Sequence, residues 1–175
     1  MNAWTRAGFA ALLLSVVAGG FFLSSYLKGQ ASGAGANSTQ RPEFTLTDLQ
    51  NRPRRVGEWD GKVLVVNFWA TWCSPCRKEI PQFIALQQEF GTRGLQFLGI
   101  AIDDPGAVRE FVQSLQVNYP VLVGEQDAID VAKAYGNLIG ALPYTVVVDR
   151  KGAIVLTHQG EVSGHQLEQV IARLI

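Results

Sequence analysis

Cysteine is nearly absent from this chain: there are two, Cys73 and Cys76, among 175 residues. A disulfide scaffold uses more cysteines at wider spacing, so the fold must rest on an apolar core and the two thiols are free for chemistry. Histidine is as scarce, with only His158 and His165. A structural zinc takes four ligands, and these two histidines stand in no finger spacing with the cysteines, so neither is given a role. A c-type haem site needs histidine directly after the second cysteine, where this chain has Arg77. An inert disulfide across two residues closes too small a loop to stabilise much. Excess charge is lacking too: 15 basic and 15 acidic residues cancel, which leaves no basic footprint for a nucleic-acid partner. No low-complexity composition dominates, and the length suits one domain plus a targeting segment.

What is present begins with an apolar run. After a tail of residues 1–6, Ala7 to Leu27 carries no charge, with Arg6 before it and Lys28 after it. About 20 apolar residues span the hydrocarbon core as a helix, whereas the apolar region of a cleaved signal is shorter, about 7–15 residues. Residues 7–27 are therefore expected to form an uncleaved transmembrane signal-anchor. The Ala34-Gly35-Ala36 triplet keeps a cleaved signal as the alternative. Residues 28–40, rich in Gly, Ala, Ser and Asn, read as a flexible tether. The positive-inside count is nearly balanced across the run. A short tail before a first apolar helix stays cytoplasmic as a rule, so residues 41–175 are expected outside the cytoplasm: in the periplasm of a Gram-negative cell, held at the inner membrane by a single pass.

The domain alternates strand and helix. Glu43 to Thr47 and Arg54 to Val56 read as short extended pieces around a Leu49-Gln50-Asn51 turn. Val63 to Trp69 is apolar and β-prone throughout, as a central strand covered on both faces should be. A helix to about Phe90 follows, with Ile80, Phe83, Ile84 and Phe90 on one side and a kink expected at Pro81. Leu95 to Asp103 is a second buried strand. Asp104 and Pro105 then start a helix with Val108, Phe111, Val112 and Leu115 on one face. Pro120 to Val123 is a short strand, and Ala128 to Tyr135 a helix stopped by Gly136. Tyr144–Val148 and Ala153–His158 make a hairpin. Ser163 and Gln166 cap a last helix with Leu167, Val170, Ile171 and Leu174 on its core face. This order implies an α/β fold, a mixed sheet between helices.

Cys73 and Cys76 sit where the central strand gives way to a helix. The unpaired N–H groups and dipole of a helix start favour an anion, so the first thiol should ionise below the free value of about 8.5. Cys76, one turn along, is placed to displace a mixed disulfide. This is thiol–disulfide exchange, with Cys73 attacking and Cys76 resolving.

The segment Phe68-Trp69-Ala70-Thr71-Trp72-Cys73-Ser74-Pro75-Cys76-Arg77-Lys78-Glu79, with Pro81 after it, resembles the TlpA/ResA/DsbE-like branch of the thioredoxin superfamily. Gly140-Ala141-Leu142-Pro143-Tyr144-Thr145 with Asp149 resembles its second signature. The likeness covers about residues 41–175. It implies a thioredoxin-like fold with a βα insertion at about Asp104 to Gly124. It further implies an extracytoplasmic reductase, often acting in cytochrome c maturation on apocytochrome c. The electrons would come from a membrane donor of the DsbD/CcdA type. No cofactor is expected.

Residue by residue, the resemblance makes Cys73 the nucleophile, Cys76 the resolving thiol and Pro143 a cis-proline facing them. Pro143 would shape a groove in which the Leu142 backbone pairs with an extended client, an ordinary turn proline being the alternative, and Trp72 would cover the disulfide, with a simple core aromatic as its alternative. Glu79 matches a buried acid, and its spacing of three from Cys76 puts the two on adjacent turns, where a carboxyl can exchange a proton with the thiol. A solvated surface glutamate is the alternative. Asn67 stands where thioredoxin has a buried aspartate. An amide cannot titrate, so proton transfer falls to Glu79 or water, and Asn67 reads as a plain hydrogen-bonded residue.

Two rivals remain: the same pair run as a disulfide-forming oxidant, and a Cu(I) chaperone using both thiolates. Pro143 and the lack of nearby Met or His argue against copper. A peroxidase reading is weaker, because Ala70 stands where the peroxiredoxin pattern has threonine.

Overall fold

The computed structural model describes residues 40–175. The tail, the expected anchor at 7–27 and the tether up to residue 39 lie outside the described residues. Among the described residues, no helix is long and apolar enough to cross a membrane.

The elements in chain order are β1 (Thr45–Asp48), β2 (Pro53–Arg55), a 3-10 turn (Val56–Trp59), β3 (Val63–Trp69), α1 (Ser74–Phe90), β4 (Leu95–Ile102), α2 (Pro105–Ser114), β5 (Val121–Gly124), α3 (Gln126–Ala134), β6 (Tyr144–Val148), β7 (Ile154–Gln159) and α4 (Gly164–Ile171). They form one seven-stranded sheet in the order β2-β1-β5-β4-β3-β6-β7. Strands β3, β4 and β5 run parallel. On one side β6 and β7 add antiparallel strands, and on the other β1 pairs antiparallel with β5 and β2. The mixed sheet expected from the sequence is what forms, and Asp104–Gly124 holds α2 and β5.

All seven residues of β3 are buried, as expected for a strand with helices on both faces. Alternation sends Val63, Val65 and Trp69 into one core, with Phe83 of α1, Val108 of α2 and Leu167 of α4. Leu64, Val66 and Phe68 enter the other, with Ala128 and Ala132 of α3 and Val56 and Trp59 of the 3-10 turn. Phe83 stacks on Phe97 at 5.1 Å between ring centroids, which ties α1 to β4. Asn67 is on the same side of β3 as Val65 and Trp69 and is the strand's one polar residue.

Several boundaries differ from expectation. The first strand starts at Thr45, two residues later than read. Val56 opens the 3-10 turn instead of closing a strand, because the Arg55 amide donates to Glu58 at 2.9 Å and turns the chain. The Leu49-Gln50-Asn51 turn forms, with Asn51 at φ 59° and the Asp48 carboxylate accepting from the amides of Gln50 and Arg52. Helix α1 continues past Pro81 to Phe90. Both helix caps read from sequence, Asp104 on α2 and Ser163 with Gln166 on α4, are in place.

Candidate active site

Strand β3 ends at Trp69, and four residues carry the chain from the sheet to α1. Thr71 holds that bridge: its amide donates to Asp103 at the end of β4 at 2.8 Å, and its hydroxyl donates to the same oxygen. Burial raises the Asp103 carboxyl, but these donors and the Asp104 amide together hold it below the ordinary range. The bridge therefore stays clamped by an ionised side chain.

Cys73 is the N-cap of α1, in extended conformation, with its sulfur accepting from the Cys76 amide at 3.3 Å. Ser74 and Pro75 begin the helix, and proline loses nothing there because its missing N–H is one that no carbonyl would receive. The structure holds the oxidised pair, Cys73 and Cys76 joined in a disulfide. Cys76 is wholly buried, while Cys73 keeps a 5% exposed edge. Of the two residues, the first is thus the one that reaches solvent.

Glu79 is buried completely; the solvated alternative is excluded. One carboxylate oxygen accepts from Asn67 Nδ2 at 2.8 Å and the other from the Val162 amide at 3.0 Å. Burial, opposed by these two donors and reinforced by the charge of Glu161, pushes its carboxyl up to about 7. An acid so tuned can both take and return a proton near neutrality. Asn67, itself buried, donates its second amide hydrogen to Thr145 Oγ1 at 3.0 Å, so the hydrogen-bonded amide read from sequence is present and has a specific partner.

The Leu142–Pro143 peptide bond is cis. Leu142 is half-buried and packs against the same core as Cys73 and Cys76. Trp72 stands 69% exposed, next in sequence to Cys73, so it is not a core aromatic. His158 and His165 bond to the Glu161 carbonyl and to Gln169 and take no part in the site. No group of residues suited to a metal occurs among the described residues.

Sequence reading missed the loop ahead of Pro143. Asn137 is buried and its side chain bonds both the amide and the carbonyl of Ala141, at 3.0 and 2.9 Å. The closed loop presents Leu138 and Ile139, each 77% exposed. The signal was there in principle: two large apolar residues between Gly136 and Gly140 have no strand or helix to bury them.

A parallel core with an antiparallel hairpin, helices on both faces and a Cys-x-x-Cys pair opening α1 define a thioredoxin-like thiol–disulfide oxidoreductase. The chain belongs to the AhpC/TSA family, whose model matches residues 38–157. It is 30% identical over 159 residues to the thiol-disulfide oxidoreductase ResA of Geobacillus thermodenitrificans, covering 90% of this chain and 88% of that protein. It is 29% identical over 161 residues to the ResA of Geobacillus kaustophilus, covering 91% and 90%. Among solved structures it is similar to a thiol:disulfide interchange protein of Chlorobium tepidum, at TM-score 0.73 and 29% identity, covering 81% of this chain and 99% of that one.

Proposed function

We propose that this protein reduces disulfides of client proteins outside the cytoplasm, anchored to the inner membrane by residues 7–27. The Cys73 thiolate attacks a client disulfide, forming a mixed disulfide and expelling one client thiolate. Cys76, its proton taken by Glu79, then attacks the Cys73 sulfur. The mixed disulfide breaks, the second client thiolate leaves, and the Cys73–Cys76 disulfide remains. Two electrons pass from the dithiol to the client. A membrane donor of the DsbD/CcdA type restores the dithiol, and apocytochrome c is the client class we favour.

The observation that carries this reading is the buried Glu79 on the helix of the resolving thiol, with its carboxyl at about 7. It supplies a proton acceptor where Cys76 has no access to water. The reducing direction follows the resemblance to the TlpA/ResA/DsbE-like branch. Trp72, Leu142 and Pro143 form the client groove in this reading, and exposed Leu138 and Ile139 extend its apolar rim.

The test is to mix the reduced protein with insulin or a disulfide-bearing apocytochrome peptide and follow thiol release. Turnover by the natural chain and none by Cys73→Ser is expected. No turnover by the natural chain overturns the reading. Equilibration with glutathione separates reductant from oxidant: a pair that stays oxidised only in strongly oxidising buffer is an oxidant. Extraction and protease accessibility in intact cells check the anchor and its orientation.

A further inference from the structure

A polar side chain in the middle of a fully buried strand requires an explanation. Asn67 is the fifth of seven buried residues in β3, and a buried amide without partners costs more than a satisfied one contributes. Both of its amide hydrogens are used. One goes to Glu79 Oε1 and the other to Thr145 Oγ1. Thr145 is the direct cross-strand partner of Asn67 in the β3–β6 register and lies two residues after Pro143. The amide is thus braced from β6, and its N–H points at the acid of α1. A leucine has the same branched skeleton and would suit this apolar core. What leucine lacks is the donor.

We infer that Asn67 is a positioning residue: braced by Thr145, its amide holds one oxygen of Glu79 and so sets the pH at which Glu79 exchanges a proton with Cys76. This rests on the reading of Glu79 as proton partner of the resolving thiol.

Two effects oppose each other at Glu79. Burial favours the neutral acid, and each N–H donated to the carboxylate favours the anion. With Asn67 gone, only the Val162 amide opposes burial. Glu79 then keeps its proton at neutral pH and cannot accept another. The other ionisable groups facing Glu79 are Cys76 on its own helix, Glu161 before Val162, and Tyr119 ahead of β5. Burial and the charge of Glu79 push the Tyr119 hydroxyl far above the working range. All three groups are unchanged in the variants below, so a difference between profiles belongs to position 67.

The experiment uses the full chain, reduced, and an aromatic disulfide whose leaving thiolate absorbs visible light. Attack by Cys73 releases the first thiolate and attack by Cys76 the second, so the second phase reads the resolving step. Its rate is followed from acid to alkaline pH in the natural chain and in Asn67→Leu, Thr145→Val, Glu79→Gln and the Asn67→Leu/Glu79→Gln double variant. Thermal unfolding checks that each variant folds. Asn67→Leu is expected to move the neutral limb upward by roughly one pH unit, about a tenfold loss of rate on that limb, as for one charge-assisted hydrogen bond. Thr145→Val, which only unbraces the amide, should shift it less in the same direction. In the Glu79→Gln background Asn67→Leu should have no further effect on the limb. An unmoved limb in Asn67→Leu, with the limb lost in Glu79→Gln, overturns the role of Asn67 and leaves Glu79 in place. A limb retained in Glu79→Gln overturns the reading of Glu79 itself. Should Asn67→Leu fail to fold, Thr145→Val decides, and an unshifted limb there overturns the proposal.

Discussion

The backbone amide of Val162 donates to Glu79 Oε2 at 3.0 Å, across 83 residues of chain. This bond, with the one from Asn67, fixes a carboxyl inside the apolar core where its ionisation is costly. The acid is raised from 4.5 to about 7 on folding. A group whose folded value is raised stabilises fully below its unfolded value, and that stability is lost as pH rises through the folded value. Stability should therefore fall between about pH 4.5 and 7 by on the order of 3 kcal/mol, at 1.36 kcal/mol per unit. Denaturant unfolding at pH 5 and pH 8 checks this. The fall should be absent in Glu79→Gln, and parallel curves for the two proteins would contradict the assignment.

Asp48 gives the opposite dependence. Burial raises its carboxyl, but bonds from the Arg52 backbone and side chain and the Gln50 amide bring it down to about 2. Its contribution is present above the unfolded value and lost as pH falls through the folded one. The natural chain should lose stability between roughly pH 4 and pH 2, by less than the full shift implies because solvent screens a site at the surface. Asp48→Asn should remove that part of the acid sensitivity while lowering stability at pH 7.

The first thiol is tested in Cys76→Ser, which leaves the backbone amide of residue 76 able to donate. Alkylation rate against pH should give a midpoint for Cys73 below the free value of about 8.5. The same variant should accumulate mixed disulfides with clients, since nothing displaces them. A midpoint at or above the free value would remove the case for helix-start activation.

Phe83 is buried completely and stacks on Phe97. Phe83→Ala leaves a cavity between α1 and β4 and should cost about 3–5 kcal/mol. Calorimetry or urea titration measures it, and a loss below 1 kcal/mol would mean that α1 is held mainly by other contacts.

Asn137→Ala removes both bonds to Ala141 and should cost about 1–3 kcal/mol. If the Leu138–Ile139 rim contacts clients, KM for a polypeptide disulfide should rise, with no change toward a small aromatic disulfide. Equal effects on both substrates would speak against the rim.

The parts of this molecule that were legible in the sequence are those fixed by local chemistry. Strands β3 and β4 are unbroken apolar runs because helices cover both faces. The start of α1 is set by cysteine and proline, and those of α2 and α4 by Asp104 and Ser163. What escaped was decided by distant partners. Strand β1 takes its register from Val123 of β5, 76 residues past Thr47, so its start could not be placed from neighbours. The resemblance makes Glu79 a buried acid, with a surface glutamate of the Arg77-Lys78-Glu79 run as the alternative; the partners that hold it, Val162 and a strand amide, were not legible. The exposure of Trp72 is likewise decided by what packs around it and not by the local run.

The described chain enters the sheet where Gln40 bridges Ala153 and the Arg41 amide meets the Gly152 carbonyl. That is the starting end of β3, beside Leu64 and Val148. The cysteines follow its other end, about 20 Å away at strand rise. The molecule is thus entered at its heel, and the sulfurs lie at its toe, a full strand length away from Gln40.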